Sequence, residues 1–587
     1  MIVQSFLKIS RGLSRNVKPY PLFYSKTGSI IKPHILRVMG QNCVTAHSQI
    51  LPELCHLDDI PDGGMKEVEL PSNYGEGKIL LLRDGLNIKA LSPKCTHYAA
   101  PLSKGTYDPQ LGTVRCPFHG ACFNVETGDI EDYPGLDNLH SYKVHLRESD
   151  KKILLSGKKE DYGKGIRRTN SPLKCDVNDN RLVIIVGGGA AAQACLEVLR
   201  GPDCRYRGKI LLVSNEEHSP YDRPKLSKAL GVNPEEILLR QSNFYTDRDI
   251  DIKLGTSLKS ISPNEKKVKL SDDTTLNYDK IVLATGTVPR VLELPGADLN
   301  NIFVLRTPKD ANAIITNATG KRVVIIGGSF IGTEVAASLI GKASEVSLVG
   351  TSESLFEKTL GKEIGSFVQK MHENKGVNFF LGVKPLEYKS SNGTTVEVVA
   401  LSDGSEIPAD VVVLGVGVFP NTKGYLKDSG VLTDERGYIL VNERMETNIE
   451  GIYAAGDVVK FPLFTHDNKE VSIGHWGLAK SHGRIAAYNV ASFNPESPKT
   501  QIKTVPFFWT VQYGKSLRVA GFADSYDEII YDGSVSDGKF AAFYVKEGKV
   551  MSVATLMRDP IAAKFADFLR KGNVLTKECI DDWILSK

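Results

Sequence analysis

LVIIVGGGAAAQACLEVL, residues 182–199, decides how this chain is read. Leu182, Val183, Ile184, Ile185 and Val186 form a short β-branched run, the pattern of a strand buried on both faces. Gly187, Gly188 and Gly189 follow at once, and residues 190–199 have the composition of a helix. Gly187, Gly189 and Ala192 occupy the three small positions of a G-x-G-x-x-G/A turn. The first glycine allows the tight turn, the second lets a pyrophosphate approach the backbone, and the third small residue lets helix pack on strand. The helix N-terminus then offers unpaired N–H groups to phosphate. One match of this kind is weak evidence. A second follows the strand Arg322-Val323-Val324-Ile325-Ile326, with Gly327, Ser329 and Gly332 at the same positions and Ser in place of the middle Gly.

The 587 residues imply several domains, and 41% apolar and 24% charged residues are ordinary for a globular chain. No apolar run approaches the roughly 20 residues of a transmembrane helix. Nine cysteines are too few for a disulfide scaffold and suit metal ligation in a reducing interior. The net charge of +4 is uneven. Of 73 basic side chains, seven lie in residues 1–52, which hold no acid; the remaining 66 face 69 acidic ones, a net of −3. Nothing there suggests a nucleic-acid partner. The start, MIVQSFLKISRGLSR, sets Ile2, Phe6, Ile9 and Leu13 near one helical face with Lys8, Arg11 and Arg15 elsewhere. That is the composition of a mitochondrial presequence. A basic tail on a cytoplasmic protein is the alternative, and Met39 offers an internal start.

Residues 54–157 read as a small all-β domain, with turn signals such as Arg83-Asp84-Gly85 and Thr127-Gly128 between short apolar runs. Two of its loops carry Cys95-Thr96-His97 and Cys116-Pro117-Phe118-His119-Gly120. Two thiolates and two imidazoles suit tetrahedral zinc or a [2Fe–2S] cluster with Cys on one iron and His on the other. The C-P-x-H-G box, followed by Phe123 and Thr127-Gly128, resembles the Rieske domain. The resemblance implies Cys95, His97, Cys116 and His119 as cluster ligands. It also implies the ferredoxin type, since Ala100 and Phe118 stand where cytochrome-complex Rieske proteins carry an extra disulfide. Cys122 fits no ligand spacing and reads as a packed thiol, like Cys43, Cys55, Cys175, Cys195, Cys204 and Cys579. Residues 158–180 are polar and turn-rich and read as a linker.

Beyond the linker the motifs come in a set order. An acid that binds ribose belongs after the strand Lys209-Ile210-Leu211-Leu212-Val213, and Glu216 is the candidate, although Ser214 and Asn215 come first. Then come Pro220-Tyr221-Asp222-Arg223-Pro224-Lys225-Leu226-Ser227-Lys228, a buried strand ending Ala284-Thr285-Gly286 with Arg290 behind it, the second nucleotide turn with Glu334, and the run from Val411 to Asn421. Gly456 and Asp457 close a further strand, and Trp476 and Trp509 follow. This order resembles the apoptosis-inducing factor family and the reductases of aromatic-ring dioxygenases, both FAD-dependent pyridine nucleotide oxidoreductases. The match is to members that carry a Rieske domain.

The resemblance implies a multidomain fold: an N-terminal all-β Rieske domain, two α/β Rossmann-like domains for FAD and NAD(P), and an α+β C-terminal interface domain. The boundaries expected are 1–52 presequence, 54–157 Rieske, 158–180 linker, 181–317 and 436–500 FAD-binding, 318–435 NAD(P)-binding, and 501–587 interface domain. It implies that Arg223 and Lys228 lie at the flavin, that Asp457 bonds the ribityl chain, that Trp476 and Trp509 flank the isoalloxazine, and that Lys228 and Glu334 pair where flavin meets nicotinamide. The strand Glu345-Val346-Ser347-Leu348-Val349 ends in Gly350 instead of an acid, and no Arg marks a 2′-phosphate site, so the expectation is NADH over NADPH. No cysteine pair lies near these motifs, which argues against disulfide reduction. The activity implied is electron relay from NAD(P)H through FAD to the [2Fe–2S] cluster and on to an unidentified acceptor, a protein among the candidates. A redox-sensing pro-apoptotic protein with little turnover is the second reading, and a homodimer is left open.

Overall fold

The computed structural model describes residues 51–586, apart from 158, 168–172, 203 and 494–498. The basic segment through residue 50, with Cys43, and part of the expected linker lie outside the described residues. Everything from Leu51 onward forms one compact unit.

Residues 53–156 build two antiparallel sheets, one of six strands and one of four. In the six-stranded sheet, Ile79, Leu80, Leu81 and Leu82 of strand Lys78–Asp84 are all fully buried, with Leu80 and Leu82 in the core around Cys95 and Cys116 and Ile79 and Leu81 in a second core on the other face. The loops that hold the Cys and His residues leave the ends of short strands. Each is closed by backbone bonds: Cys95 N to Ala100 O (2.8 Å) and Cys116 N to Ala121 O (2.7 Å). Each turns through a left-handed residue, Ala99 at φ 57° and Gly120 at φ 78°. A Cβ on Gly120 would also lie 2.6 Å from the Phe507 ring, so this glycine serves the contact with the C-terminal domain as well as the turn.

The segment expected as a linker is partly folded. Strand Ile166–Arg167 pairs with Asn138–Leu139, so the chain stays on the Rieske domain until residue 167.

Both nucleotide modules are five-stranded parallel sheets. The first runs Ile250–Lys253, Lys209–Val213, Leu182–Val186, Lys280–Leu283, Ile452–Ala454. The second runs Ile302–Val304, Val411–Leu414, Arg322–Ile326, Glu345–Gly350, Val377–Leu381. Strand Ile302–Val304 and helix Pro308–Ala318 thus belong to the second sheet. The expectation that the second module begins at 318 is corrected. The reason is register: Ile302, Phe303 and Val304 pair in parallel with Val412, Val413 and Leu414, which covers the edge that strand Val411–Leu414 would otherwise leave open.

The C-terminal region is a five-stranded antiparallel sheet backed by helix Ile561–Arg570. Its Leu517, Val519 and Tyr544 share a core with Leu348 and Ile364 of the second module. Each such fully buried side chain contributes about 1.5–3 kcal/mol.

The Rieske domain is docked on this body. Arg115, 1% exposed, donates to Asp132 of its own domain (2.8 Å) and to Asp567 of the C-terminal helix (2.7 Å). Thr106 donates to the other Asp567 oxygen at 2.6 Å. Ala194 of the first phosphate helix completes the apolar core around Cys95 and Cys116. Burial alone would raise the Asp132 carboxyl, but Arg115 and Arg570 hold it below its ordinary value. A depressed folded-state value adds stability above the unfolded value, about 3.9, and that stability is lost as pH falls through the folded one. The clamp therefore persists from neutral into mildly acid solution. Asp567→Ala leaves Arg115 with one of its two carboxylate partners and is expected to cost about 3 kcal/mol in urea unfolding, the lower end for breaking a buried pair. A loss below about 1 kcal/mol would mean the clamp does not hold the domain.

Candidate functional site

A cavity of about 750 Å³ lies between the two nucleotide modules and the C-terminal sheet. Of the residues singled out from sequence, Gly187, Gly189, Glu216, Arg223, Lys228, Ala284, Gly286, Ser329, Glu334, Gly456, Asp457, Trp476 and Trp509 line it. Ala192, Arg290, Gly327 and Gly332 do not. Ala192 is fully buried in the core of the first module. Gly327 and Gly332 stand behind the second turn, where a Cβ would strike Gly415 O at 2.3 Å and Gly327 O at 1.9 Å respectively. The Arg290 guanidinium lies over the Phe419 ring, 5.3 Å from its centre.

The two turns share one local geometry. Gly189 caps its helix at φ −102°, ψ −166°, and Ser329 caps the second at φ −98°, ψ −172°, both without a side-chain cap. Any residue adopts that backbone, which is why Ser fits the middle position. Gly187 sits at φ 122°, and a Cβ there would lie 2.1 Å from Ala284 O. Gly189 is different: a Cβ there meets nothing within 4 Å, so its hydrogen faces the open cavity. Substitution at Gly187 breaks the turn, whereas substitution at Gly189 only fills ligand space.

Charge is concentrated on one side. The Glu216 carboxylate accepts from Arg223 (2.8 Å) and from the Tyr221 hydroxyl (2.5 Å). Asp457 is partly buried at the cavity wall, and desolvation raises its carboxyl against the pull of Arg306 and Arg223. Arg306 itself is pushed down to about 10 by burial and by the neighbouring Arg223. Sequence reasoning missed Arg306. The available signal was an arginine between a strand and the Thr307-Pro308 start of a helix, whose capping box pairs Thr307 with Asp310. His475, just ahead of Trp476, was missed too; burial lowers it to about 4, and its Nδ1 has no partner.

On the other side Lys228 donates to Glu334 at 2.8 Å, and Ser227 donates to the same oxygen at 2.5 Å. The second Glu334 oxygen accepts from Thr510 (2.8 Å). Behind it Gln512 donates to Thr333 at 2.8 Å and to Thr510 at 3.3 Å, and accepts from His372 at 2.7 Å. The bonds from Ser227, Lys228 and Thr510 fix the carboxylate's rotamer within a buried network.

The Cys and His residues form two pairs. The sulfurs of Cys95 and Cys116 are buried and in hydrogen-bond contact. That bond pulls the Cys116 thiol below its ordinary value, as do the backbone N–H groups of Phe118 and His119. His97 Nδ1 and His119 Nδ1 are 3.2 Å apart. Burial lowers the two imidazoles to about 2 and about 3, so both are neutral, the ligating form. Two nitrogens on one metal at about 2.1 Å, in near-tetrahedral geometry, have about this separation. Among the described residues no three Cys, His, Asp or Glu side chains converge on one point, as a zinc site of four ligands requires. Two pairs suit two irons. Cys122 is buried 3.4 Å from Arg570 and outside both pairs.

The His pair faces the large cavity. Trp509 lines that cavity, and its ring centre lies 4.4 Å from that of His119 and 5.8 Å from that of His97.

Residues 181–487 match the family described as pyridine nucleotide-disulphide oxidoreductase, residues 51–143 the Rieske [2Fe-2S] domain, and residues 507–582 the reductase C-terminal domain. Apoptosis-inducing factor 3 of Homo sapiens is 40% identical over 550 residues, 93% of this chain and 87% of that protein. Putidaredoxin reductase of Pseudomonas putida is 32% identical over 65% of this chain and 90% of its own. The crystal structure of the covalent putidaredoxin reductase–putidaredoxin complex matches with a TM-score of 0.62 at 31% identity, over 67% of this chain and 94% of that chain. The first family match carries FAD and NAD(P)H, and the second a [2Fe–2S] cluster. The open face of Gly189, the uncapped helix ends and the two ligand pairs fit these groups.

Gly189→Val is expected to keep the fold and its melting temperature while losing the visible flavin absorbance. Gly187→Val is expected to lose both. Equal flavin content in Gly189→Val and the parent would show that no pyrophosphate lies there.

Proposed function

Because the chain belongs to the pyridine nucleotide-disulphide oxidoreductase family and carries a Rieske domain ahead of that body, we propose that it moves electrons from NAD(P)H through FAD to its own [2Fe–2S] cluster and on to an acceptor outside the chain. It is an NAD(P)H-dependent flavoprotein oxidoreductase; the finer reading is that the fused Rieske domain stands in the electron path. One observation carries this: Trp509 borders the flavin cavity and packs against both His97 and His119. FAD, when bound, takes a hydride from nicotinamide and releases electrons singly, and the cluster accepts one at a time.

The chain's residues have separable tasks. Gly187, Gly189 and the N-terminus of helix Ala190–Leu199 receive the FAD pyrophosphate, with Ala192 buried behind them where the helix packs, and Gly327, Ser329 and Gly332 build the equivalent turn for the nicotinamide dinucleotide. Asp457, Arg223 and Arg306 hold the flavin side of FAD by charge and hydrogen bonding, with Glu216 fixing Arg223. Ala284, Gly286, Gly456 and Trp476 shape the walls around them, while Arg290 stands outside the cavity over Phe419. Lys228, held by Glu334, orients the nicotinamide against the flavin. Because that pair is largely desolvated, its worth is in position more than in stability. Cys95, Cys116, His97 and His119 hold the cluster.

Two further readings rest on likeness alone. The name of the human relative speaks for a part in apoptosis, and the acid-free basic residues 1–52 speak for mitochondrial import. Fusing residues 1–52 to a reporter is expected to send it to mitochondria; a cytosolic reporter would remove that reading.

Cys95→Ser is expected to lose the cluster's paramagnetic signal, keep FAD, and be reduced by NAD(P)H at the parent rate in stopped flow. Its turnover with a one-electron acceptor is expected to fall at least tenfold. Parent-like turnover would take the Rieske domain out of the path.

A further inference from the structure

The docking that brings the histidines to Trp509 also covers the edge through which a Rieske centre would meet a second protein. Bonds ring that edge. Tyr98 donates to Asp222 (2.8 Å), Arg518 to Phe118 O (3.1 Å), Lys480 to Pro134 O (2.6 Å) and Arg240 to Asp137 (2.7 Å). A protein acceptor would have to break this rim to reach His119.

One gap remains. A cavity of about 250 Å³ is bordered by Tyr98, His119, Lys225, Lys228, Trp509 and Val511. Lys228 and Trp509, with Pro224, also border the large cavity, so these side chains separate the two spaces. We propose that this crevice binds the terminal electron acceptor, and that the acceptor is a small, single-ring organic anion. The site presupposes the relay proposed above.

Size, charge and shape point the same way. The volume is below the roughly 300–1,000 Å³ of pockets for drug-sized ligands, so it admits one ring and excludes a dinucleotide. Two ammonium groups border it. Lys228 is held by Glu334, but the one ion-pair partner of Lys225 among the described residues is Asp222 at 3.9 Å, and that Asp222 oxygen also accepts from Tyr98. Lys225 therefore keeps its donors for a ligand. Its ammonium lies 5.6 Å from the centre of the Tyr98 ring. Tyr98, stacked on His97 at 3.9 Å and 49% exposed, forms an aromatic lip open to solvent, and Trp509 forms the inner wall. A flat anion fits between aromatic faces and a lysine. The acceptor gains one electron, which originates in NAD(P)H, with the His119 imidazole as the adjoining protein group. No bond in the chain forms or breaks, any proton the reduced acceptor takes comes from water, and two acceptors are reduced per hydride.

The test uses the oxidised holoenzyme and two probes: hydroquinone sulfonate for binding by calorimetry, and benzoquinone sulfonate for turnover. Lys225→Glu is expected to raise both the Kd and the KM about tenfold, the scale of a reversed charge in a partly desolvated site. Lys225→Arg should restore both. Flavin reduction by NAD(P)H and the cluster's paramagnetic signal should stay at parent values in each variant. Parent-like Kd and KM in Lys225→Glu overturn the proposal. So does displacement of hydroquinone sulfonate by saturating NAD⁺, which would put the probe in the large cavity. The relay is judged separately by Cys95→Ser: parent-rate reduction of benzoquinone sulfonate would overturn the relay, while Lys225→Glu still reports whether the crevice binds the anion.

Discussion

Arg115 is the contact on which the arrangement depends. It carries a guanidinium into a nearly dry interface between Asp132 and Asp567. A charge in that setting is tolerable only with full pairing, because its desolvation is costly and its attraction is strong there. The pairing is complete only when the Rieske domain sits on helix Ile561–Arg570. The interface is thus specified by charge, and the apolar contact of Ala194 with the Rieske core adds to it without choosing an orientation. Once seated, the two histidines reach Trp509, which borders the cofactor cavity.

The same logic holds at the far end of that cavity. Glu334 is buried, and its two oxygens take up donors from the adjacent Ser227 and Lys228 and from Thr510, two stretches of chain distant from its own. The network joins the first module, the second module and the C-terminal sheet through one carboxylate. His372 and Gln512 extend it to the surface at Tyr513, whose hydroxyl bonds His372 Nδ1 at 2.8 Å. A fixed Lys228 is then a property of the assembled domains and of no single one.

A Rieske domain held in this way differs from a freely tethered partner. The stretch 158–180 does not act as one long leash, since its first part pairs with the Rieske domain through Ile166 and Arg167. Proximity between cluster ligands and flavin cavity comes from a built interface. That interface also limits which acceptors reach His119.

The sequence by itself determined the modules and the ligand types. The β-branched strand before Gly187, its copy before Gly327, and the Cys95/His97 and Cys116/His119 boxes are local patterns whose chemistry depends on spacing along the chain. The matching backbone at Gly189 and Ser329 explains why a Ser for Gly exchange did not hide the second turn. What spacing does not encode is contact between distant segments. Arg306 ahead of a helix cap and Asp567 within a helix carry no local pattern that names their partners. Nor does the C-P-x-H-G box show that Gly120 lies against Phe507. The true edge of the second module at Ile302 depended on a parallel pairing with Val412, more than 100 residues on. These features follow from which surfaces meet, and that is settled by buried charge and shape across domains, where only the tertiary structure decides.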